Sequence, residues 1–412
     1  MSTREHYVPI RKADLIRRLV ADQHLSPDQR KQFFQWCQIL EATLHYEYHQ
    51  SLEQLKNAYA TFDPDATPDA LNAAEPEKAR DVDDLFAKVV LLLERANYRA
   101  LPPEQIAQAV SVTSQWGVKL DVDLEAFQRL EIFTRGNFTA ARQFRHWRNL
   151  FRRQEIQAST YRRLVVLFRL QQQSENAPTH SVPVYIKFFK DIPHADLETL
   201  LPCTKVQMTW LDRGRILLPA VSGAGLTIYK AIKGALVLAF AGIYGVLAFL
   251  GLVGGAVGYG VKSFLGYVRA RDKYRLNLTQ NLYFQNLDNN AGVLFRLLDE
   301  AEEQEFIEAA LAYFLLWHQA PASGWTLDQL DRQAESYLRG VTATDVDFEV
   351  GDAVAKLLRM QIVEETADGT LTAVPIKNAL QCLDVAWDNV FQHAREDSAI
   401  FLTPDESQSR AA

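Results

Sequence analysis

The chain has 412 residues, of which 48% are hydrophobic and 23% charged, which excludes a disordered protein and allows two or three domains. The three cysteines, Cys37, Cys203 and Cys382, lie far apart in sequence, which excludes a disulfide framework or a zinc finger. The net charge of −7 is unevenly distributed: residues 1–127 sum to −6, residues 128–275 to +14 and residues 291–400 to −13.

Residues 1–127 are predicted to be a helical N-terminal region. Ser26, followed by proline, is typical of a helix start, and apolar residues recur every three or four positions over 33–55. This spacing predicts an amphipathic helix of about ten turns that ends at the Asp63–Asp65 turn. A second helix is predicted over Val82–Tyr98, and a shorter one begins near Pro102.

Within the long helix, Glu41, His45 and His49 are spaced by four and share one face. Such a stripe can bind a metal ion, although the string is not the HExxH motif. We favour the interpretation that these are surface or partly buried histidines beside a helix that packs on this one, and we predict no metal site.

Residues 128–212 are predicted to form a small basic α+β module with an antiparallel or mixed sheet. The runs over 130–136, 161–170, 182–192 and 205–212 are rich in β-branched and aromatic residues, and several alternate in hydrophobicity. Basic and aromatic residues interleave over Arg142–Arg153. This pattern is found in proteins that bind single-stranded nucleic acid, and it is also expected beside anionic lipid headgroups. The adjacent apolar run favours lipid.

That apolar run, Gly234–Val261, contains 28 residues without a charge. A helix of this length exceeds the roughly 30 Å hydrocarbon core of a bilayer. We therefore predict a membrane-embedded segment over residues 213–275, with its core at 234–261. A second uncharged run, Ile216–Tyr229, leaves three topologies open: a single tilted span, a hairpin that bends at Lys230–Lys233, and a shallower hairpin that bends at Gly251–Gly255.

Balanced basic flanks favour a hairpin, because both of its ends return to one side of the membrane. The predicted flanking residues are Arg213, Arg215, Lys230, Lys233, Lys262, Arg269, Arg271 and Lys273. Gly251, Gly255 and Gly258 form a small-residue stripe that would permit close helix contact. The predicted location is a bacterial cell membrane, or an organelle membrane if the source is a eukaryote.

Residues 276–400 are predicted to be an acidic, winged-helix-like domain, and residues 401–412 a disordered tail. Three helices are followed by a hairpin whose turn is Asp368-Gly369, which is the order of a winged helix. The charge of −13 favours protein contacts over DNA. Glu302, Glu305 and Glu308 crowd one helix; a di-metal site is conceivable, but a solvated surface or one facing the basic module is favoured.

Four strings resemble the family of transmembrane protein 143, whose biochemical function is unknown. They are YVPIRKADLIRRL, LHYEYHQSLEQLKNAYATFDPD, VYIKFFKDIPHADLETLLP and NLYFQNLDNNAGVLFRLLDEAEEQEFIEAALAYFLLW, and together they extend over residues 7–317. The resemblance implies a membrane protein, and it supplies no catalytic residues.

The predicted function is a membrane-anchored scaffold or interaction protein. Its predicted partners are anionic lipid headgroups and an unknown protein, with a homo-oligomer possible and no nucleic acid expected. The alternatives are a membrane-tethered metalloprotein or enzyme and, less favoured, a membrane-bound DNA-binding regulator. The sequence contains no P-loop, GxSxG or HExxH string, so no catalytic residue, cofactor or metal is predicted.

Overall fold

A computed structural model describes most of the chain outside residues 208–282. The described residues are 4–66, 82–111, 119–145, 153–171, 182–202, 204–207, 258, 261–262, 265 and 283–398. Within them the fold is α+β, as the sequence predicts.

The helices lie in two groups along the chain, one before and one after the main strands. They are α1 (Lys12–Val20), α2 (Pro27–Tyr59), α3 (Val82–Arg95), α4 (Pro103–Ser111), α5 (Ala291–Phe314), α6 (Leu327–Thr342), α7 (Val350–Arg359) and α8 (Ile376–Ser398). A π-helical turn at Leu315–Gln319 continues α5, and a 3-10 helix at His194–Leu200 follows Pro193.

The strands form three separate antiparallel sheets. They are β1 (Arg99–Ala100), β2 (Lys119–Val122), β3 (Phe127–Arg145), β4 (Arg153–Leu170), β5 (Val184–Pro193), β6 (Thr204–Gln207), β7 (Asn286–Asn289), β8 (Trp325–Thr326), β9 (Val363–Glu365) and β10 (Thr370–Ala373). The main sheet has the order β1-β3-β4-β5-β7, the second pairs β2 with β6, and the third has the order β8-β10-β9.

Two long helices, α2 and α5, connect the two halves of the molecule. A capping box in which Ser26 and Gln29 bond reciprocally starts α2. The first half of α2 packs with the second half of α5 in a core that also contains α1 and the C-terminal helices. The remainder of α2 and the beginning of α5 pack with α3 on one face of the main sheet. Each long helix is therefore shared between two hydrophobic cores.

The central strand β4 is covered on both faces. Val165 and Leu167 face α2, α3 and α5, whereas Leu164 and Val166 belong to a third core on the opposite face. This alternation follows from the two-residue period of a strand. Because both faces are covered, Leu164–Arg169 forms a continuous buried run.

The C-terminal elements have the order of a winged helix, as the sequence predicts. The helices α5, α6 and α7 are followed by the β9–β10 hairpin, and β8 completes its sheet. Gly369, at the predicted turn, has a positive φ of 78°.

Gly324 is the position in this unit where a substitution should do most damage. Its φ is +76°, and an added Cβ would collide with the carbonyl oxygen of Leu371. We expect Gly324→Ala to lower the free energy of unfolding by more than about 2 kcal/mol, since the change combines a strained backbone with overpacking. Gly340→Ala, at an open position within α6, is the control and should be neutral or slightly stabilising. Equal denaturation midpoints for the two variants would contradict this account.

The predicted membrane segment is contradicted by the structure. Among the described residues, no helix is both long enough and apolar enough to cross a bilayer. The predicted core 234–261 lies outside the described residues except for Gly258 and Val261. The prediction rested on the length and hydropathy of one run, and eight of its 28 residues are glycines, which lower helix propensity by about 1 kcal/mol each relative to alanine.

The predictions that depended on this segment are corrected with it. They are the membrane part of the fold class, with its hairpin or single span, the transmembrane and lipid-headgroup description, and the location in a bacterial cell or organelle membrane. A run of uncharged residues fixes neither a helix nor its environment.

Candidate functional site

The first feature of interest is a row of acidic residues on α5 that meets cationic and polar side chains from three other elements. The Glu300 carboxylate accepts a hydrogen bond from the Tyr98 hydroxyl (2.6 Å) and pairs with the Arg135 guanidinium (2.7 Å). One turn further, Glu305 pairs with the Lys356 ammonium of α7 at 3.3 Å. These contacts join α5 to the main sheet and to α7.

Glu308 is the most deeply buried carboxyl in this row, with 2% of the residue exposed. The Asn97 side-chain amide donates a 2.7 Å hydrogen bond to it from the loop after α3. Burial raises the pKa of Glu308 to about 8, although Lys356 acts in the opposite direction. At neutral pH this carboxyl is therefore largely protonated, so it can be buried without the full cost of a buried charge.

Next to this row lies an open depression between α2, α3, α5 and α7, which we name the Arg95 cleft. Its polar end, about 280 Å³, is lined by Glu47, Tyr48, Ser51, Arg95, Glu305, Asp352, Ala355, Lys356 and Arg359. Its apolar end, about 260 Å³, is lined by Tyr48, Ser51, Gln54, Leu55, Lys88, Leu91, Leu92, Arg95 and Leu298.

Arg95 lies where the two ends of the cleft meet. Its side chain is 46% exposed, and its Nε lies 3.9 Å from the Glu305 carboxylate, too far for a direct hydrogen bond. Lys88 is on the same face of α3, seven residues earlier, where it pairs with Asp84 at 2.6 Å. The apolar end therefore has a leucine floor and two accessible cations at its rim.

Tyr48 contributes to both ends of the cleft. Only 2% of the residue is exposed, and its hydroxyl makes no hydrogen bond of ordinary geometry. Burial and the nearby Glu305 carboxylate raise the pKa of this hydroxyl, so it is neutral at physiological pH. The hydroxyl is enclosed beside the Glu305 carboxylate and is not accessible from the cleft.

The predicted Glu41/His45/His49 stripe does not converge on one point. Glu41 accepts a 2.6 Å hydrogen bond from Lys12, and His45 pairs with Glu302 at 2.9 Å. Nowhere in the described ranges do three His, Cys, Asp or Glu side chains lie close enough to share a metal ion.

The three glutamates of the conceivable di-metal site have separate partners. Glu302 meets His45, Glu305 meets Lys356, and Glu308 meets Asn97. Glu300, in the same row, contacts the basic module through Arg135. The burial of Glu305 and Glu308 was not anticipated.

In a winged helix that binds DNA, the third helix is the one that usually enters the groove. Here that helix is α7, and both of its cations are paired with carboxylates of other helices. Lys356 pairs with Glu305, and Arg359 pairs with Glu47 of α2 at 2.8 Å. The exposed side of α7 forms one wall of the Arg95 cleft.

Most of the predicted membrane-flanking residues fall outside the described part of the chain. These are Arg213, Arg215, Lys230, Lys233, Arg269, Arg271 and Lys273, together with Gly251 and Gly255 of the glycine stripe. Lys262 is helical and exposed, and at Gly258 an added Cβ would have no atom within 4 Å.

The structure describes only the two ends of the basic, aromatic stretch over Arg142–Arg153. Its ends lie in β3 and β4, where Arg145 is opposite Arg153, and residues 146–152 lie outside the described ranges. The pairing of β4 with β5 starts at Thr160, so the β3–β4 hairpin continues well beyond that contact.

No pattern in the sequence identified Arg95, Tyr48 or Asn97. The first two lie in helical segments with an ordinary amphipathic pattern, and nothing in their spacing distinguishes them from packing or surface residues. Asn97 follows α3 with a φ of 59°, which is a common asparagine position at a helix end.

Comparison with known proteins adds a family without an assigned activity. Residues 161–292, about a third of the chain, match the family described as "Protein of unknown function (DUF3754)". The match begins in β4 and ends at the start of α5, so it does not include most of the residues that line the Arg95 cleft. No solved structure matches the chain. The resemblance to the transmembrane protein 143 family stays a prediction.

Proposed function

We propose that the protein is an interaction protein that binds an acidic, apolar segment of a partner protein in the Arg95 cleft. The observation that carries this proposal is the position of Arg95, a half-exposed cation above a floor of leucines. An apolar side chain of the partner would cover Leu91, which is 50% exposed, and a neighbouring carboxylate would reach the guanidinium. Such a pair of contacts combines burial of apolar area with a charge-assisted hydrogen bond.

The polar end of the cleft supplies a further contact. Ser51 is exposed on α2, and its hydroxyl oxygen can accept a hydrogen bond from a backbone or side-chain N–H group of the partner. Glu308 does not line the cleft, and its proton is held in the interior by burial. Its raised pKa is therefore better explained by packing than by acid–base chemistry on a bound substrate.

The test uses a fluorescein-labelled peptide with the sequence Leu-Phe-Leu-Ser-Pro-Asp-Glu and fluorescence anisotropy on the full chain. We expect saturable binding that Arg95→Glu weakens about tenfold. The substitution replaces attraction to the peptide carboxylates by repulsion, and a loss of about 1.4 kcal/mol in binding free energy corresponds to this factor. Arg17→Glu makes the same charge change at an exposed site on α1 and should leave binding unchanged.

A second peptide in which Asn-Gln replaces Asp-Glu tests the role of the carboxylates. It should bind the unmodified chain more weakly than the acidic peptide does, and its affinity should be the same for the unmodified chain and for Arg95→Glu. If the acidic peptide shows no saturable binding up to millimolar concentration, or if Arg17→Glu reduces binding as much as Arg95→Glu does, the proposal is wrong.

A further inference from the structure

We propose that a second cavity, between α3, the edge strand β1 and the start of α7, binds a free α-amino acid with an apolar side chain. We name it the β1 cavity. The carboxylate of the ligand would contact Arg99, and its ammonium group would contact Glu349. The ligand is a small molecule, so this site is distinct from the docking of a partner segment in the Arg95 cleft.

The β1 cavity lies beside the Arg95 cleft and shares Leu91, Arg95 and Asp352 with it. It has a volume of about 690 Å³, which is within the range of pockets that hold small molecules. From α3 it extends to the edge of the main sheet, where Phe133 of β3 pairs with Ala100 of β1. Leu91 is 50% exposed, so an apolar side chain of a ligand would cover surface that now contacts water.

Arg99 and Glu349 are opposite charges that line the cavity without direct contact. Arg99 is exposed on β1, and Glu349 is half-buried directly before α7. Burial raises the pKa of Glu349, Asp352 adds to this effect, and the positive charge of Arg99 acts against it. The two groups therefore interact through space, but neither side chain makes a hydrogen bond or an ion pair with another described residue.

A gap between opposite charges suits a zwitterion. A carboxylate forms charge-assisted hydrogen bonds with a guanidinium, and an ammonium group donates such bonds to a carboxylate. Asp352 is exposed three residues after Glu349 and offers the ammonium group a second acceptor on the same side of α7. A molecule with only one charge would leave Arg99 or Glu349 without a partner, so it should bind more weakly.

Other charged groups on the wall of the cavity have less need of a ligand. Arg129 pairs with Glu131 at 2.7 Å, and the His6 ring lies 2.9 Å from the Asp347 carboxylate. Burial lowers the pKa of His6, so this ring is neutral at pH 7. Glu94 of α3 is exposed, and water can hydrate its charge.

The test is equilibrium dialysis of the full chain against L-phenylalanine, its amide and its N-acetyl derivative, each measured separately. We expect saturable binding of L-phenylalanine with a dissociation constant below about 1 mM. Phenylalaninamide lacks the carboxylate and N-acetylphenylalanine lacks the ammonium group. Each should therefore bind about tenfold more weakly than L-phenylalanine.

Two variants assign the two charges of the ligand. Arg99→Gln should weaken binding of L-phenylalanine about tenfold and leave binding of the amide unchanged, whereas Glu349→Gln should weaken L-phenylalanine equally and leave the N-acetyl derivative unchanged. Because each variant keeps its affinity for one compound, a loss of folding cannot produce this pattern. Arg17→Gln on α1 and Glu364→Gln on β9 make the same substitutions at exposed positions and should bind all three compounds normally.

Absence of saturable L-phenylalanine binding up to about 10 mM would overturn the inference. It would also be overturned if Arg99→Gln and Glu349→Gln bound all three compounds as the unmodified chain does, or lost all three equally. None of these results bears on the proposed function, because the peptide experiment on the Arg95 cleft uses neither these ligands nor these variants.

Discussion

Lys356→Met should destabilise the protein by about 3 kcal/mol, because it leaves the Glu305 carboxylate buried with a weakened set of partners. The side chains of Lys356 and Glu305 are only 14% and 9% exposed and lie 3.3 Å apart, whereas the Arg95 guanidinium is 3.9 Å from Glu305. Methionine keeps most of the volume of the lysine stem, so the loss is mainly electrostatic. Urea denaturation followed by circular dichroism measures the effect.

The double variant Lys356→Met with Glu305→Gln separates the charge from the packing. Removal of both charges should recover most of the lost stability, since the uncompensated carboxylate is then absent. Lys12→Met, which removes the cation that bonds the more exposed Glu41, is the matched control and should cost less than about 1 kcal/mol. A single Lys356→Met variant within about 0.5 kcal/mol of the unmodified chain would show that this pair does not hold α5 to α7.

Glu308→Gln should remove a specific loss of stability at high pH. Burial raises the pKa of Glu308 from 4.5 to about 8, so the folded state holds its proton more tightly than the unfolded chain does. Below pH 4.5 both states are protonated, and as the pH rises toward 8 the unfolded state increasingly releases a proton that the folded state retains. The free energy of unfolding therefore falls across this window, by on the order of 4 kcal/mol from this group.

Glutamine mimics the protonated carboxyl, because its oxygen can still accept the hydrogen bond from Asn97. The variant should therefore match the unmodified chain near pH 5 and exceed its stability near pH 9, as measured by urea denaturation at several pH values. Glu364→Gln, on the exposed wing strand β9, makes the same substitution away from the interior and should keep the pH dependence of the unmodified chain. Parallel pH curves for Glu308→Gln and the unmodified chain would contradict the assigned burial.

Several elements were predictable because local chemistry specifies them. The Ser26 cap and the proline after it start α2, and the apolar spacing over residues 33–55 matches the face that the structure buries. The turn at Asp368-Gly369 requires a positive φ, which glycine adopts at no steric cost. The winged-helix order follows from these signals, since each helix and turn is specified within a few residues.

The membrane prediction was wrong because it relied on the hydropathy of one uncharged run. A window of uncharged residues reports average hydropathy, and average hydropathy does not distinguish a long apolar helix from glycine-rich chain. The described residues contain no helix that could cross a bilayer. The basic residues around Lys262 were interpreted as membrane-flanking only because they adjoin this run, so they gave no independent evidence for a membrane segment.

The candidate site could not be predicted, because its residues meet only through long-range packing. Asn97 and Glu308 are 211 positions apart in the chain, and Arg4 reaches Val346 across 342 positions. Periodicity indicated that α5 is partly apolar, but it did not show that Glu305 and Glu308 turn toward α7 and the end of α3. From the sequence alone, a carboxylate on a helix is predicted to be solvent-exposed, because charged residues are rarely buried without a partner.

By itself, the sequence determined the helices, the strands, the wing turn and the division of charge, because these depend on neighbours within one or two turns. Only the tertiary structure decided that α2 and α5 each serve two cores, that Lys356 of α7 pairs with the buried Glu305, and that Arg95 lies beside the leucines of the cleft. The physical reason is that burial and ion pairing depend on which distant faces meet. A face can be identified from its periodicity, but its partner cannot.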